Sequence, residues 1–335
     1  MKLGLESYST RSSALDPVGV LNLADDLGLD GVLLELSPFT SFRDHDLETI
    51  RKTAEDKGLY LEFGMGSIFR WHPMAEKGRA LLADAGYDAD VPPAQLVINH
   101  LKIAQKLGSP ILRCVGGNLF TRDEGHDMAA LADEAVAILR QACCVAADMG
   151  MTIAMENHAD FTVRELAAIF ARVNSRAFGF TIDCGNLAFD LDDPLRLAQI
   201  MAPHAVTAHL KNYRIIRTAA GLALENCALG EGDIDVVSVA EILARHRPEL
   251  NLNLEIHSQF APFRLDVFDE TFAGRHPAPP GDGLAWYFKK ALEKDGVPAF
   301  PVALSDGQEA WHLEYEHLRL SAQWAREKLS HVLTT

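Results

Sequence analysis

The sequence predicts an α/β protein built as a single (β/α)8 TIM barrel spanning residues 1–335, with extended loops after its third and eighth strands. Eight short, mostly apolar runs recur at 2–9, 31–38, 59–66, 110–117, 151–158, 178–186, 206–213 and 250–258, as expected of parallel strands covered on both faces. Stretches of helical period separate them, the pattern of strand-then-helix units. An open doubly wound sheet would want a glycine-rich turn after its first strand, and Ser7-Tyr8-Ser9-Thr10-Arg11-Ser12 is not one.

The helix signals follow in order. Asp16-Pro17 and Asp193-Pro194 each place an N-cap before a proline at the first helical position. Met128, Leu131, Ala135, Ile138, Ala142, Val145 and Met149 share one stripe over 127–149. Thr162-x-x-Glu165 and Ser238-x-x-Glu241 read as capping boxes, and a last helix over 309–333 closes the barrel. Two stretches exceed the minimal barrel, 67–92 and 259–308. Both follow strand ends on the face where barrel active sites are built, and read as lids or walls; the second reads equally well as a surface excursion.

Lys plus Arg number 31 against 47 Asp plus Glu, a formal net charge of −16, and 48% of residues are hydrophobic. That apolar content excludes a disordered chain. The acidic balance argues against a nucleic-acid partner, whose phosphates need clustered cations. No apolar run approaches the roughly 18 residues of a membrane span, and Glu6 interrupts the stretch a signal peptide would need. Cys114, Cys143, Cys144, Cys184 and Cys227 have neither paired nor metal-ligand spacing, so reduced thiols in a cytoplasmic protein are expected.

Polar residues interrupt the later strands. Glu156 ends the fifth run, Asp183 lies near the end of the sixth, His209 is in the seventh and Glu255 in the eighth. Each is ordinary alone, but four consecutive strands deliver a metal-competent group to the functional rim. Buried without partners, the carboxylates would carry a desolvation penalty and repel one another; a dication removes both problems. Three carboxylates and one imidazole make a mostly hard site for one divalent ion, Mn²⁺ first, with Mg²⁺, Co²⁺ or Zn²⁺ also accommodated.

Glu156-Asn157-His158, Asp183-Cys184-Gly185-Asn186, His209-Leu210-Lys211-Asn212, the segment 230–235 (Gly-Glu-Gly-Asp-Ile-Asp) and Leu254-Glu255-Ile256 together resemble the xylose isomerase-like, sugar phosphate isomerase/epimerase superfamily. Its members include ketose 3-epimerases, inosose dehydratases, family 2 AP endonucleases and 3-oxo-isoapionate decarboxylases. The resemblance implies that Glu156, Asp183, His209 and Glu255 bind one divalent metal, and that Glu156 and Glu255 are catalytic, moving protons on opposite faces of a sugar. A metal holding a carbonyl and neighbouring hydroxyl stabilises the enediolate left when a C–H proton departs. Asn186 stands where the epimerases and dehydratases usually carry His, a departure from simple ketose epimerisation and from the zinc nuclease alike.

The expected activity is therefore metal-dependent isomerisation or epimerisation of a small keto or acidic carbohydrate. The alternatives are a lyase of the same superfamily, a keto-sugar-acid decarboxylase or dehydratase, and a non-catalytic sugar-binding barrel. Strand alternation points Lys211, His257 and His158 the same way as His209, Glu255 and Glu156. With Arg113 and Asn186 they are candidate substrate contacts, and their charge suits an anionic sugar acid, keto acid or phosphate. Equally, Lys211 and Arg113 would serve only to neutralise Glu35, Glu62 and Glu156. Trp71, His72 and Trp286 in the long segments would form a stacking wall or pack as core. The partner is a small sugar, with a homo-oligomer allowed by the fold's habits.

Overall fold

The computed structural model describes residues 1–258, 260–294 and 307–334. Parallel strands β1 (Lys2–Glu6), β2 (Gly31–Leu34), β3 (Tyr60–Ser67), β4 (Ile111–Val115), β5 (Thr152–Glu156), β6 (Phe178–Asp183) and β7 (Ala205–Leu210) follow one another around a barrel. An antiparallel hairpin comes next, β8 (Asn212–Thr218) and β9 (Gly221–Cys227). Strand β10 (Asn251–Leu254) then pairs with β7 and β1 and closes the barrel. A short β11 (Phe263–Leu265) adds to the free side of β9.

The helices are α1 (Pro17–Asp26), α2 (Asp44–Lys57), α3 (Glu76–Asp84), α4 (Pro93–Leu107), α5 (Leu119–Asp123), α6 (Met128–Asp148), α7 (Val163–Val173), α8 (Pro194–Met201), α9 (Val236–His246), α10 (Glu270–Arg275), α11 (Gly281–Leu292) and α12 (Gly307–Lys328). Their start signals operate as the sequence indicates, with one exception. Asp16 accepts the Gly19 amide at 2.7 Å, Asp193 that of Leu195 at 3.0 Å, and Thr162 and Glu165 cap α7 reciprocally. Ser238, expected as the cap of the next helix, lies inside α9. Asp235 caps that helix instead, accepting the Ser238 amide at 3.0 Å, because its carboxylate stands one residue before the first turn.

A second correction concerns the run at 206–213. It divides at Lys211, and residues 212–227 form a hairpin not anticipated from the sequence, making a third excursion beyond the minimal barrel. Of the anticipated excursions, 67–92 carries α3, and 259–308 carries β11, α10 and α11; residues 259 and 295–306 lie outside the described residues.

Inside the barrel, the lower layer is polar. The Tyr60 ring occupies the space beside Gly31, where a Cβ would overlap it, and its hydroxyl donates to Asn253 at 2.8 Å. Glu62 accepts from Thr207 at 2.7 Å and from Asn251 at 2.8 Å. This satisfied layer supports the strand ends above it. No helix among the described residues is long and apolar enough to cross a membrane.

Candidate metal centre

Parallel strands all present their C-terminal ends to one rim, so a residue at the end of each strand meets its neighbours there. Glu156 is the last residue of β5 and Asp183 the last of β6. His209 faces Asp183 directly in the β6–β7 register. Glu255 follows β10, its amide donating to the Leu210 carbonyl at 3.1 Å. Ligand atoms of these four residues lie within 4.8 Å of one another, and all four are buried.

Local hydrogen bonds fix each one. The Asn157 side chain donates to the Asp183 carbonyl and accepts its amide, both at 2.9 Å. Asp183 Oδ1 accepts the amides of Gly185 and Asn186 at 2.9 and 3.1 Å, which leaves Oδ2 to face Lys211 Nζ at 2.6 Å. His209 Nδ1 lies 2.8 Å from Glu255 Oε2 and 3.5 Å from Glu156 Oε2. Arg113 directs Nε and Nη2 at Glu156 Oε2, at 2.6 and 2.5 Å. Lys211 Nζ also reaches Glu255 Oε2 at 3.1 Å, and His257 Nε2 lies 2.8 Å from Glu255 Oε1.

Burial pushes every carboxylate here towards its neutral form, and the neighbours decide the outcome. For Glu156 burial is outweighed by Arg113 and His209, so its pKa is lowered. For Glu255 it is outweighed by Lys211, His257 and His209, which hold the carboxylate well below its usual range. At Asp183 burial wins over Lys211. Burial would make His209 a weaker base, but Glu156 and Glu255 raise its pKa. Burial and Lys211 lower His257 to about 3.

The four residues fit one divalent ion. Their donors are three carboxylates and an imidazole converging from adjacent strand ends, and His209 already turns Nδ1 towards two of the carboxylates. With all three carboxylates ionised and His209 neutral, as ligation of a dication requires, the two cations Lys211 and Arg113 would leave the cluster one negative charge in excess.

A cavity of about 400 Å³ opens beside the cluster, and of the four residues Glu255 lines it. The expected contacts Arg113, His158, Asn186, Lys211 and His257 all line it. Asn186 donates to Glu156 Oε1 at 3.4 Å, and His158 Nδ1 lies 2.7 Å from the Gly117 carbonyl. Arg113 and Lys211 are thus already engaged with the carboxylates beneath them. Trp71, His72 and Trp286 are not among the lining residues. Trp71 is 45% exposed, stacks on Phe69 and lies tilted over His126, His72 accepts the Met74 amide at 3.2 Å, and Trp286 packs edge-on against Tyr287.

The sequence reading missed Glu6 and Tyr8 at the end of β1, Phe120 after β4, and Phe260 and Phe263 after β10, all of which line the cavity. Glu6 was findable, since it ends β1 as Glu156 ends β5. Burial, then Glu255 and Glu35, raise its pKa well above the usual carboxylate range.

Known proteins resemble this chain over much of its length. An uncharacterized Escherichia coli protein, YihM, is 24% identical over 161 residues; the match covers 48% of this chain and 47% of that relative, so the chain matches about half its length. The 3-oxo-isoapionate decarboxylase of Pectobacterium atrosepticum is 20% identical over 265 residues, covering 76% of this chain and 85% of that enzyme. Among solved structures, a D-psicose 3-epimerase determined in the presence of D-fructose superposes with a TM-score of 0.61 at 17% identity, covering 98% of this chain and 99% of its own. The pattern of one family spans residues 21–266, from α1 through β11, and by that match the chain belongs to the xylose isomerase-like TIM-barrel family.

Proposed function

We propose that the protein is a divalent-metal-dependent enzyme that transforms a small keto- or hydroxy-substituted carbohydrate through an enediolate, as an isomerase or epimerase. One observation carries this reading: Glu255, which lines the cavity, and Glu156, buried beside it, flank His209 Nδ1, two carboxylates converging on one point. A dication bound by Glu156, Asp183, His209 and Glu255 would supply Lewis acidity, and would convert the cluster's surplus negative charge into one positive charge. Around it, Glu255 accepts the proton leaving carbon, and Glu156 returns one to the other face or the next carbon. His158, His257, Asn186 and Lys211 orient the substrate's oxygens. Mn²⁺ is the preferred ion, since oxygen donors predominate, with Mg²⁺, Co²⁺ and Zn²⁺ tolerated. Five free thiols fit a reducing, cytoplasmic setting, and a homo-oligomer is compatible with the exposed apolar residues Phe120 and Trp71 at the rim.

A second reading is decarboxylation of a β-keto sugar acid. It is supported by the cations that hold Glu156 and Glu255 ionised, which makes both weak bases. Loss of CO₂ needs an electron sink and no base, and the relative of known activity at 20% identity is a decarboxylase.

The test is a screen of ketoses and keto sugar acids with Mn²⁺ in D₂O. Epimerisation washes solvent deuterium into the substrate carbon, whereas decarboxylation releases CO₂ and labels only product. Glu156→Gln should abolish turnover, by about 10²-fold or more, while the fold persists. Undiminished turnover in that variant, or in chelator-treated enzyme, would refute the proposal.

A further inference from the structure

A second cavity, of about 300 Å³, adjoins the one above the metal centre, and Leu119, Ala159 and Phe189 line both. It lies between the segment following β5 and the excursion that carries β11 and α10. Its chemistry differs from that of the main site. Five aspartates line it: Asp123, Asp160, Asp190, Asp266 and Asp269. Three arginines face them, and each is already engaged. Arg122 donates to Glu165 at 2.6 Å, Arg264 to Asp266 at 3.1 Å, and Arg275 to the Asp123 carbonyl.

Two features point to a ligand. Asp160 is 1% exposed, and its Oδ1 has no hydrogen-bond partner, although Oδ2 accepts the Gly117 amide. A buried polar atom left open can pair with a hydroxyl of a ligand. Phe189 and Phe272, both partly exposed, also line the cavity, giving apolar surface on which the C–H face of a sugar can rest. A phosphate fits poorly, because aspartates outnumber arginines and the arginines are occupied. A neutral ring bearing many hydroxyl donors fits both the open acceptor and the aromatic surface.

We propose that this cavity is a subsite for a second, uncharged sugar ring, so that the substrate is a two-ring keto-carbohydrate whose reacting end sits over the metal centre. The inference rests on the reading of the main cavity as a keto-carbohydrate site, and its test is by binding so that the two can fail separately.

The Mn²⁺-loaded protein is titrated calorimetrically with maltulose, a glucosyl ketose, and with fructose and fructose 6-phosphate. The expected result is that maltulose binds at least tenfold more tightly than fructose. Phe272→Ala and the milder Phe272→Leu, at a partly buried position outside the main cavity, should each erase most of that preference and leave fructose binding within twofold. Thermal melts confirm that both variants are folded. Maltulose binding without turnover supports the subsite while removing the proposed reaction on that sugar. Equal binding of the two sugars, binding of neither, equal weakening of both by the variants, or a preference for fructose 6-phosphate over maltulose would overturn the subsite.

Discussion

Arg113 offers the sharpest perturbation of the candidate metal centre. Its guanidinium is 6% exposed and places two nitrogens on Glu156 Oε2, at 2.6 and 2.5 Å. Arg113→Met keeps the aliphatic stem and deletes the charge, leaving Glu156 with His209 at 3.5 Å and Asn186 at 3.4 Å. Breaking one side of a buried pair destabilises by about 3–5 kcal/mol, because the surviving charge is left uncompensated. With an unfolding entropy of about 2.1 cal/mol/K per residue over 335 residues, this lowers Tm by roughly 4–7 °C in metal-free protein at pH 8. The same deletion adds one net negative charge to the cluster, so Mn²⁺ should stabilise the variant more than the wild type. Thermal melts in chelator and in saturating Mn²⁺ measure both effects. A metal-free variant melting within 1 °C of wild type, at about the precision of the assay, would refute the pairing argument. An identical Mn²⁺-induced rise in both proteins would refute the charge argument.

Two further predictions address the scaffold. Glu314 on α12 is fully buried beside Arg11, 3.7 Å away, and burial pushes its pKa from 4.5 up to about 7. A raised folded-state pKa means a contribution fully present below about pH 4.5 and lost as pH rises through 7, worth roughly 3 kcal/mol. Glu314→Gln should remove that pH dependence and be the more stable protein at pH 8; parallel stability curves from pH 4 to 8 would contradict this. Gly66 in β3 packs against the Met74 carbonyl so closely that a Cβ would overlap it. Gly66→Ala should therefore destabilise by about 1–3 kcal/mol in urea unfolding, and an unchanged midpoint would show that the segment after β3 yields freely.

The strands and the cluster of four candidate ligands were legible in the sequence for one reason. In a parallel barrel the position of a residue along its strand fixes the rim it reaches, so Glu156, Asp183, His209 and Glu255 could be grouped without knowledge of any contact. The hairpin at 212–227 escaped because its first strand continues the apolar run of β7 with only Lys211 between. Its signal was the alternation in Tyr213-Arg214-Ile215 and the turn before Gly221, whose φ of +149° favours glycine. Ser238 misled because a capping box and an interior Ser share a spelling, and only the carboxylate of Asp235 distinguishes them.

Residue type was a weaker guide than strand position. Trp71 and His72 have the chemistry of a sugar wall, yet local partners hold both: a ring stack for one and a backbone amide for the other. Lys211 and Arg113 illustrate the converse. Alternation gave the direction of Lys211 correctly, but direction does not say what a long side chain grips at its tip. Lys211 reaches Asp183 and Glu255, two of the four proposed metal ligands, and Arg113 reaches a third. These cations therefore act on the carboxylates before they act on any substrate. They reduce the repulsion among three buried acids, and for the same reason they weaken the cluster's attraction for a dication. Affinity for the proposed metal and the stability of the metal-free barrel would thus be set against each other by the same two side chains.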